Sequence, residues 1–436
     1  MKYSTKINQA ELNDQNRRIA FITEEFLVVG IDVGSEAHYA RAFSNRSVEL
    51  SGKKAFRFAN SQEGFNSFGR WVEDILTKAD KKYVLVGMEP TGHYWINLGN
   101  YIKEAGMILA QVNPAAVKKS KELDDNDPTK NDRKDPKVIA GLVNAGRYTL
   151  PYMPEGIYAE LRELSNQRLM TVEQLTRIKN RLARWFSIYF PEFKEVYRNA
   201  DAKTGIMVLK EYPLPEDLVS LGVEGINQIW RDHKVRAAGM KRAQKLYDAA
   251  KKSIGRKEAQ VSARMELKNL LQDYETYTSR LAEIMTMIEE RLPQIPNADK
   301  LLAINGVGIA TVVTFIAEVG DIRRFTDPKQ IQKLAGLSIV ESSSGKHQGQ
   351  YSISYRGRKR LRLALYEAAI SLVGRNESFA AIHQYYTTRE KNQLKKMQSL
   401  IAVACKVIRV FYAILTKGVD YDGQKMTSDI VRLQAA

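Results

Sequence analysis

The sequence predicts an α/β domain over residues 26–150 joined to a mostly helical remainder, and two patterns carry that expectation. Short apolar runs rich in β-formers alternate with helix-like stretches up to about residue 150, as strands covered by helices do. From Glu155 onward the apolar residues recur instead at steps of three and four, with charged residues between them.

Phe26–Asp32 (FLVVGID) and Ala37–Phe43 flank Gly34 and read as a hairpin that opens a sheet, with residues 1–25 as an amino-terminal extension. Lys54–Phe58 supplies a third strand. Ser61–Ala79 has helical spacing through Phe65, Phe68, Trp71, Val72 and Ile75. Ser61 suits the cap, because its hydroxyl can accept from a free N–H, and Glu63 suits the first turn near the positive end of the helix dipole. Tyr83–Glu89 (YVLVGME) is a buried-type strand, Tyr94–Ala105 a helix and Met107–Val112 the next strand.

Residues 151–297 are predicted to be helical. Leu161, Leu164, Leu169, Val172, Leu175, Ile178 and Leu182 mark one stripe, and Ala237–Leu292 is again long, charged and helical. Between them Tyr212–Trp230 is irregular and holds Pro213 and Pro215. Two long polar-faced helices around an insert at about 194–257 read either as an antiparallel coiled-coil arm or as an ordinary helical bundle. Residues 298–436 form a third, mostly helical region that ends with a helix containing Cys405.

Composition narrows the function. The net charge is +17, and the lysines and arginines are spread along the chain rather than gathered on one amphipathic helix, which favours nucleic acid over a membrane as partner. No uninterrupted run of about 18 apolar residues occurs, so no transmembrane helix is expected. Met1–Asn16 is polar, so secretion is not expected either. The single cysteine excludes an intrachain disulfide and a cysteine-rich zinc site, and the five histidines show no paired-ligand spacing. A reducing cytoplasmic setting fits.

Four acids stand where acids are costly unless used. Asp32 and Glu89 each end an apolar strand, and carboxylates are rarely buried unless paired or metal-bound. Adjacent strands ending in acids at one sheet edge would form a cluster that repels itself without a cation, and hard oxygen ligands suit Mg2+ or Mn2+. Asp132 and Asp135 sit three apart in KNDRKDPKVIAGL, where Asp135 would cap a helix with Pro136 at its first position. Two metals so held would clamp the attacking and leaving oxygens of a phosphodiester. Each acid also has a plain reading: a helix cap for Asp135, a solvated loop acid for Asp132, a turn residue before Gly34 for Asp32.

Leu301–Ala317 (LLAINGVGIATVVTFIA) has two apolar helices around Asn305-Gly306-Val307-Gly308, which reads as a helix-hairpin-helix or as a tight helix–helix connection. In the first case Gly306 and Gly308 let the backbone approach a phosphate. Glu341–Gln350 (ESSSGKHQGQ) is a serine-rich loop ahead of SISYRGRKRLR; by composition it is basic, flexible and at most a phosphate-binding loop.

Together these stretches resemble the DEDD-type transposases of insertion-sequence family one-ten, relatives of the Piv-type DNA invertases, and the resemblance implies a bridge-RNA-guided (seekRNA-guided) serine recombinase. The resemblance rests on GIDVGSE, GMEPTGHYW, VNPAAVKK with KNDRKDPKVIAGLV, INGVGIATVVTFIAEVGDIRRF, LAGLSIVESSSGKHQG and ISYRGRKRLRLAL, spanning roughly residues 26–146 and 300–415. It implies a RuvC-like (RNase H-like) fold for residues 26–150, with Asp32, Glu89, Asp132 and Asp135 as catalytic metal ligands, and a serine-bearing transposase domain over 298–436. Counted from Ala335-Gly336-Leu337, the serine before a glycine is Ser344, the implied nucleophile; the run Ser342-Ser343-Ser344 leaves its register open by one or two positions. Lys346, His347, Arg356, Arg358 and Arg360 follow as candidate phosphate contacts. The implied partners are donor and target DNA, a non-coding bridge RNA and further copies of the chain, as a dimer assembling to a tetramer, with no membrane and a nucleoid-associated location in a prokaryotic cytoplasm. Two other readings remain: a metal-dependent RuvC-like nuclease or resolvase without a covalent intermediate, and a non-enzymatic nucleic-acid-binding protein.

Overall fold

The computed structural model describes residues 12, 14–52, 54–90, 92–124, 135–344 and 347–428. The chain falls into two units, Met1–Met153 with Arg324–Thr326, and Pro154–Arg323 with Asp327–Ala436.

In the first unit, β1 (Phe26–Asp32), β2 (Ala37–Phe43), β3 (Phe56–Ala59), β4 (Tyr83–Met88), β5 (Ile108–Val112) and β6 (Tyr148–Thr149) form a mixed sheet in the order β3-β2-β1-β4-β5-β6. β1 pairs antiparallel with β2 and parallel with β4, so the two apolar strands are central neighbours pointing the same way. Helices α1 (Gln15–Phe21), α2 (Gln62–Lys78), α3 (Trp95–Glu104), α4 (Pro114–Asp124) and α5 (Asp135–Asn144) accompany the sheet. β1 is apolar throughout because both of its faces are covered. Leu27, Val29 and Ile31 join Phe65, Phe68 and Val72 of α2 and Leu98 and Ile102 of α3. Phe26 and Val28, with Leu85 of β4, join Val138, Ile139, Leu142 and Val143 of α5. Each such side chain contributes about 1.5–3 kcal/mol relative to exposure.

The Ser61 cap forms as expected, its hydroxyl accepting from Gly64 N at 3.2 Å. The third strand lies two residues later at its start than the sequence suggested, because Phe56 and Phe58 anchor it: Phe56 stacks on Trp71 at 4.9 Å and Phe58 on Phe68 at 4.7 Å.

In the second unit, α6 (Gly156–Tyr189) precedes four shorter helices, α7 (Phe193–Val196), α8 (Lys203–Leu209), α9 (Pro215–Asp232) and α10 (Met240–Lys251), and the long α11 (Gln260–Arg291) follows. α6 and α11 run antiparallel: Trp185 Nε1 donates to Ala263 O at 3.0 Å near one end, and Arg291 approaches Glu160 at 3.8 Å near the other. The insert helices bundle against the Tyr189 end around Trp185, Phe190, Phe193, Leu214, Trp230 and Leu267. Two expectations change here. Residues expected to be irregular form α9, because Pro215 takes the first helical position and Asp217 accepts from Leu214 N at 2.9 Å, while Gly222 absorbs a break at φ +75. The long helix expected over Ala237–Leu292 is interrupted after α10, where buried Glu192 accepts from Ser253 Oγ at 2.6 Å and Ile254 N at 3.0 Å.

The remainder comprises α12 (Ala298–Leu302), α13 (Ile309–Val319), α14 (Pro328–Leu334), β7 (Ile339–Ser344), β8 (His347–Ile353), α15 (Lys359–Arg375), α16 (Glu377–Thr388) and α17 (Lys396–Lys417). Phe315 of α13 meets Phe411 of α17 edge-on at 5.1 Å. By length and composition α17 could cross a membrane, contrary to the sequence expectation; Lys406 and Arg409 interrupt the apolar run and hid it. Its Val403, Val407, Ile408, Phe411 and Ile414 are buried, and it packs on α15 and α16. The serine-rich segment is likewise not a loop but an antiparallel β7–β8 hairpin, since Ile339 and Val340 stand level with Ile353 and Ser352 and let the strands pair.

Candidate active site

Asp32 closes β1, and Ile31 lies level with Met88 on the parallel neighbour, so Asp32 and Glu89 leave the sheet side by side at one edge. Strands pair about 4.8 Å apart, which fixes the backbone separation of the two acids at roughly that value. Both are partly exposed, as groups at a sheet edge should be.

The third acid arrives through a close helix–strand crossing. A Cβ on Gly30 would sit 1.9 Å from Pro136 O, and one on Gly87 would sit 2.5 Å from Val143 Cγ2, so glycine at both strand positions is what lets α5 lie down on β1 and β4. At its far end, Asn144 Nδ2 donates to Ser44 O at 2.9 Å, one residue past Phe43, which is level with Val28. α5 therefore runs antiparallel to β1, and Asp135 at its start points to the edge that carries Asp32 and Glu89. Asp135 forms an ion pair with Lys121 of α4. Asp132 lies outside the described residues. Among the described residues, no three His, Cys, Asp or Glu side chains converge closely enough to hold a metal ion.

In the second unit, Ser344 ends β7, its backbone level with His347, and Ser342 is level with Gln350 with a register shift between. Gly345 and Lys346 lie outside the described residues, as do the side chains of Ser342, Ser343, Ser344 and His347. The base of this hairpin is fastened by backbone contacts. Ser354 N donates to Ser338 O at 2.8 Å, Tyr355 N to Gly336 O at 3.1 Å and Arg358 N to Leu334 O at 2.7 Å. Gly336 has φ +70, and a Cβ on Gly357 would sit 2.4 Å from Gly336 N. Arg362 Nη1 adds a bond to Ala335 O at 2.9 Å. The Ala335-Gly336-Leu337 turn and the Arg356-Gly357-Arg358 segment thus interlock through two glycines.

The candidate phosphate contacts separate into engaged and open groups. Arg358 donates to Glu318, both at its backbone carbonyl and at its carboxylate, tying α15 to α13. Arg360 donates to Asn166 Oδ1 of α6. Arg356 is exposed. Gly306, at φ +97, faces α15: its Cβ position is 3.3 Å from Leu372 Cα, and its carbonyl accepts from Ser371 Oγ at 2.8 Å. Gly308 caps α13 in extended conformation with open space at its Cβ position. A helix–turn–helix is therefore present, and of its two glycines Gly308 faces outward.

The sequence reading missed Gly30, Gly87, Lys121 and Gly357. The mid-strand glycines were a visible signal, since glycine inside a buried strand marks a close backbone approach. Lys121 had no signal, because its partner is fourteen residues away.

A transposase family model of the DEDD IS110 type matches residues 29–191, and the model described as Transposase IS116/IS110/IS902 family matches residues 298–386. An insertion element IS116 uncharacterized 44.8 kDa protein of Streptomyces clavuligerus is 25% identical over 89% of this chain and 94% of its own length. The insertion element IS110 uncharacterized 43.6 kDa protein of Streptomyces coelicolor is 23% identical over 93% of this chain and 98% of its own. A pilin gene-inverting protein of Moraxella bovis is 29% identical over 30% of this chain and 40% of its own length. The two family matches fall on the sheet with its acid edge and on the region with the serine hairpin, and the chain belongs to the IS110 family of transposases.

Proposed function

We propose that this transposase cuts and rejoins DNA strands with Ser344 as nucleophile, assisted by a metal site built from Asp32, Glu89, Asp132 and Asp135, and that a bound non-coding RNA selects the donor and target DNA. The observation that carries the reading is the strand-edge geometry: two acids level on neighbouring parallel strands, with the helix headed by Asp135 starting at that same end. The cation already paired with Asp135, the Lys121 ammonium, fits a carboxylate placed to hold positive charge. Oxygen donors alone suit Mg2+ or Mn2+, which when bound would offset charge on the reacting phosphate.

In this reading the Ser344 hydroxyl attacks a DNA phosphorus. A bond from Oγ to phosphorus forms, the bond from phosphorus to the 3′ oxygen breaks, and the released 3′ hydroxyl takes up a proton. The strand is left joined to the protein through a 5′-phosphoserine and is rejoined by the reverse step. Lys346 and His347, which follow Ser344 in the sequence, would hold the phosphate, and exposed Arg356 at the hairpin's base would meet the neighbouring backbone. Arg358 and Arg360 are engaged within the protein and would serve chiefly to fix the hairpin's base. The acids of a neighbouring copy, in a tetramer assembled from dimers, would meet the serine of this one.

The test is strand cleavage by the RNA-bound full chain with Mg2+ or Mn2+. Asp32→Asn and Asp135→Asn should each abolish cleavage. The melting temperature should be held or raised in Asp32→Asn, where removing a like charge relieves repulsion, and lowered slightly in Asp135→Asn, which loses the Lys121 ion pair. Recombination at the wild-type rate by either variant would refute the metal site. Sequencing of co-purified nucleic acid should return one defined RNA; random cellular RNA would refute the guide.

A further inference from the structure

The insert between the long helices carries a long run of positive charge. Residues 231–257 contain ten lysines and arginines against two aspartates, in a protein whose net charge is +17 over 436 residues. All ten (Arg231, Lys234, Arg236, Lys241, Arg242, Lys245, Lys251, Lys252, Arg256 and Lys257) are exposed.

This charge sits on a rigid frame. α10 buries Ala243, Leu246, Ala249 and Ala250 and turns Lys241, Arg242, Lys245 and Lys251 outward. The preceding loop is tied down by Val235 N donating to Trp230 O at 2.8 Å, and the following one by Arg256 N donating to Ile188 O at 2.9 Å and by the Glu192 contacts to Ser253 and Ile254. Lys241 and Lys245 are four residues apart, about 6 Å along the helix axis, so both project from one side of it.

Nearby acids offset only part of it, since ten cations in the run face two aspartates. Glu192 is committed to its loop, Asp201 pairs with Lys179 at 2.8 Å, and Asp217 pairs with Arg264 of α11. Asp232 and Asp248 accept from Gln228 at 2.7 Å and Gln244 at 2.9 Å. Among the described residues only Lys252, with Glu195 at 2.7 Å, and Arg256, with Glu258 at 3.7 Å, form ion pairs within the run. A solvated helix face in a folded protein ordinarily balances its charge signs, whereas here Asp248 is the one acid on a face that also carries Lys241, Lys245 and Lys252. Like charges held together on a fixed frame repel one another, and a polyanion relieves that repulsion while releasing its own counterions.

We infer that the insert is a second nucleic-acid site, a sequence-independent surface that grips the phosphate backbone of DNA or RNA through Lys234, Arg236, Lys241, Lys245 and Lys251, apart from the strand-edge acids and the serine hairpin. Its role is to add affinity and hold the nucleic acid without reading bases.

The experiment uses the full chain with these five residues changed to glutamine, titrated against a random-sequence DNA duplex and an RNA duplex of equal length over a range of salt. Because each lost phosphate contact lowers the salt slope of log K by about one, the variant should show a slope smaller by two or more and, near physiological salt, an affinity lower by roughly tenfold or more. Loss on the DNA probe alone, or on the RNA probe alone, supports the inference and names the backbone held. The pair Lys241→Gln with Lys245→Gln should show a smaller loss in the same direction at an unchanged melting temperature. A control protein with Arg46→Gln, Arg57→Gln, Arg70→Gln and Lys268→Gln, exposed cations elsewhere, should keep most of its affinity. Unchanged affinity and slope on both probes, or an equal loss in the control, would overturn the inference. The readout is equilibrium binding of random-sequence probes without divalent metal, so failure of the serine chemistry leaves this result intact.

Discussion

The acid edge and the serine hairpin are held in opposite ways. Asp32 and Glu89 end strands buried on both faces, and α5 is pressed onto those strands through glycines. The hairpin has no such backing: Ile339, Tyr351 and Tyr355 are largely exposed, and the backbone bonds that fasten it lie at its base. Groups that must share one cation need a fixed mutual geometry, which a two-faced core supplies. A group that must reach a phosphate of a large partner gains from projecting, and then only the base can set its direction. The contrast predicts that damage to the packing behind the acids shows first in stability, and damage to the hairpin's base first in chemistry.

The largest stability effect should come from Gly30→Val. Its Cβ would overlap Pro136 O, so α5 must shift off the sheet at a cost of about 1–3 kcal/mol or more. Thermal unfolding should show a clear drop, while Gly141→Ala, on the same helix with open space around it, should hold or gain about 1 kcal/mol. An unchanged midpoint for Gly30→Val would break the account of how Asp135 is placed. For the hairpin, Gly357→Ala, whose Cβ would overlap Gly336 N, should lower the midpoint as well but lower strand cleavage roughly a hundredfold, because a shift of about 1 Å at the base is carried to the tip. Full cleavage activity in that variant would show that the base does not aim the hairpin.

The smallest effect concerns pH. His38 is fully buried in β2 beside Phe58 and Phe65, and neither ring nitrogen finds a hydrogen-bond partner among the described residues. Burial holds its pKa below the ordinary histidine value, and Asn60 opposes this only in part because its contact lacks good hydrogen-bond geometry. The unfolded chain therefore binds this proton more readily than the folded one. Stability should fall as pH drops below about 6.5, by no more than about 1.4 kcal/mol per pH unit from this group. His38→Phe should flatten that slope in the first unit's unfolding; an unaltered slope would locate the pH dependence elsewhere.

The same contrast explains what could be read from the chain alone. FLVVGID and YVLVGME were legible as buried strands because continuous apolar runs of that length fit few alternatives, and the acids at their ends followed. The register that sets Asp32 beside Glu89 was not legible, since pairing between strands fifty residues apart leaves no local trace. ESSSGKHQGQ lacked the alternation that marks a strand, so its pairing came from tertiary anchoring at Gly336 and Gly357. Pro215 was taken as a breaker where it starts a helix. Lys406 and Arg409 hid the apolar length of α17 by interrupting its run. The strand register and the hairpin were missed because contacts distant in sequence decide them, whereas Pro215 and α17 were misread from their local pattern.

The central claim is that a serine of the hairpin carries the DNA. The direct measurement is to incubate the RNA-bound full chain with its DNA and divalent metal, denature, digest and map the DNA-linked peptide by mass spectrometry. The account predicts the link on Ser344, its loss in Ser344→Ala with DNA and RNA binding retained, and little change in Ser342→Ala and Ser343→Ala. DNA on Ser342 or Ser343 would contradict the register counted from Ala335-Gly336-Leu337, and cleaved DNA with no serine adduct at all would contradict the covalent mechanism.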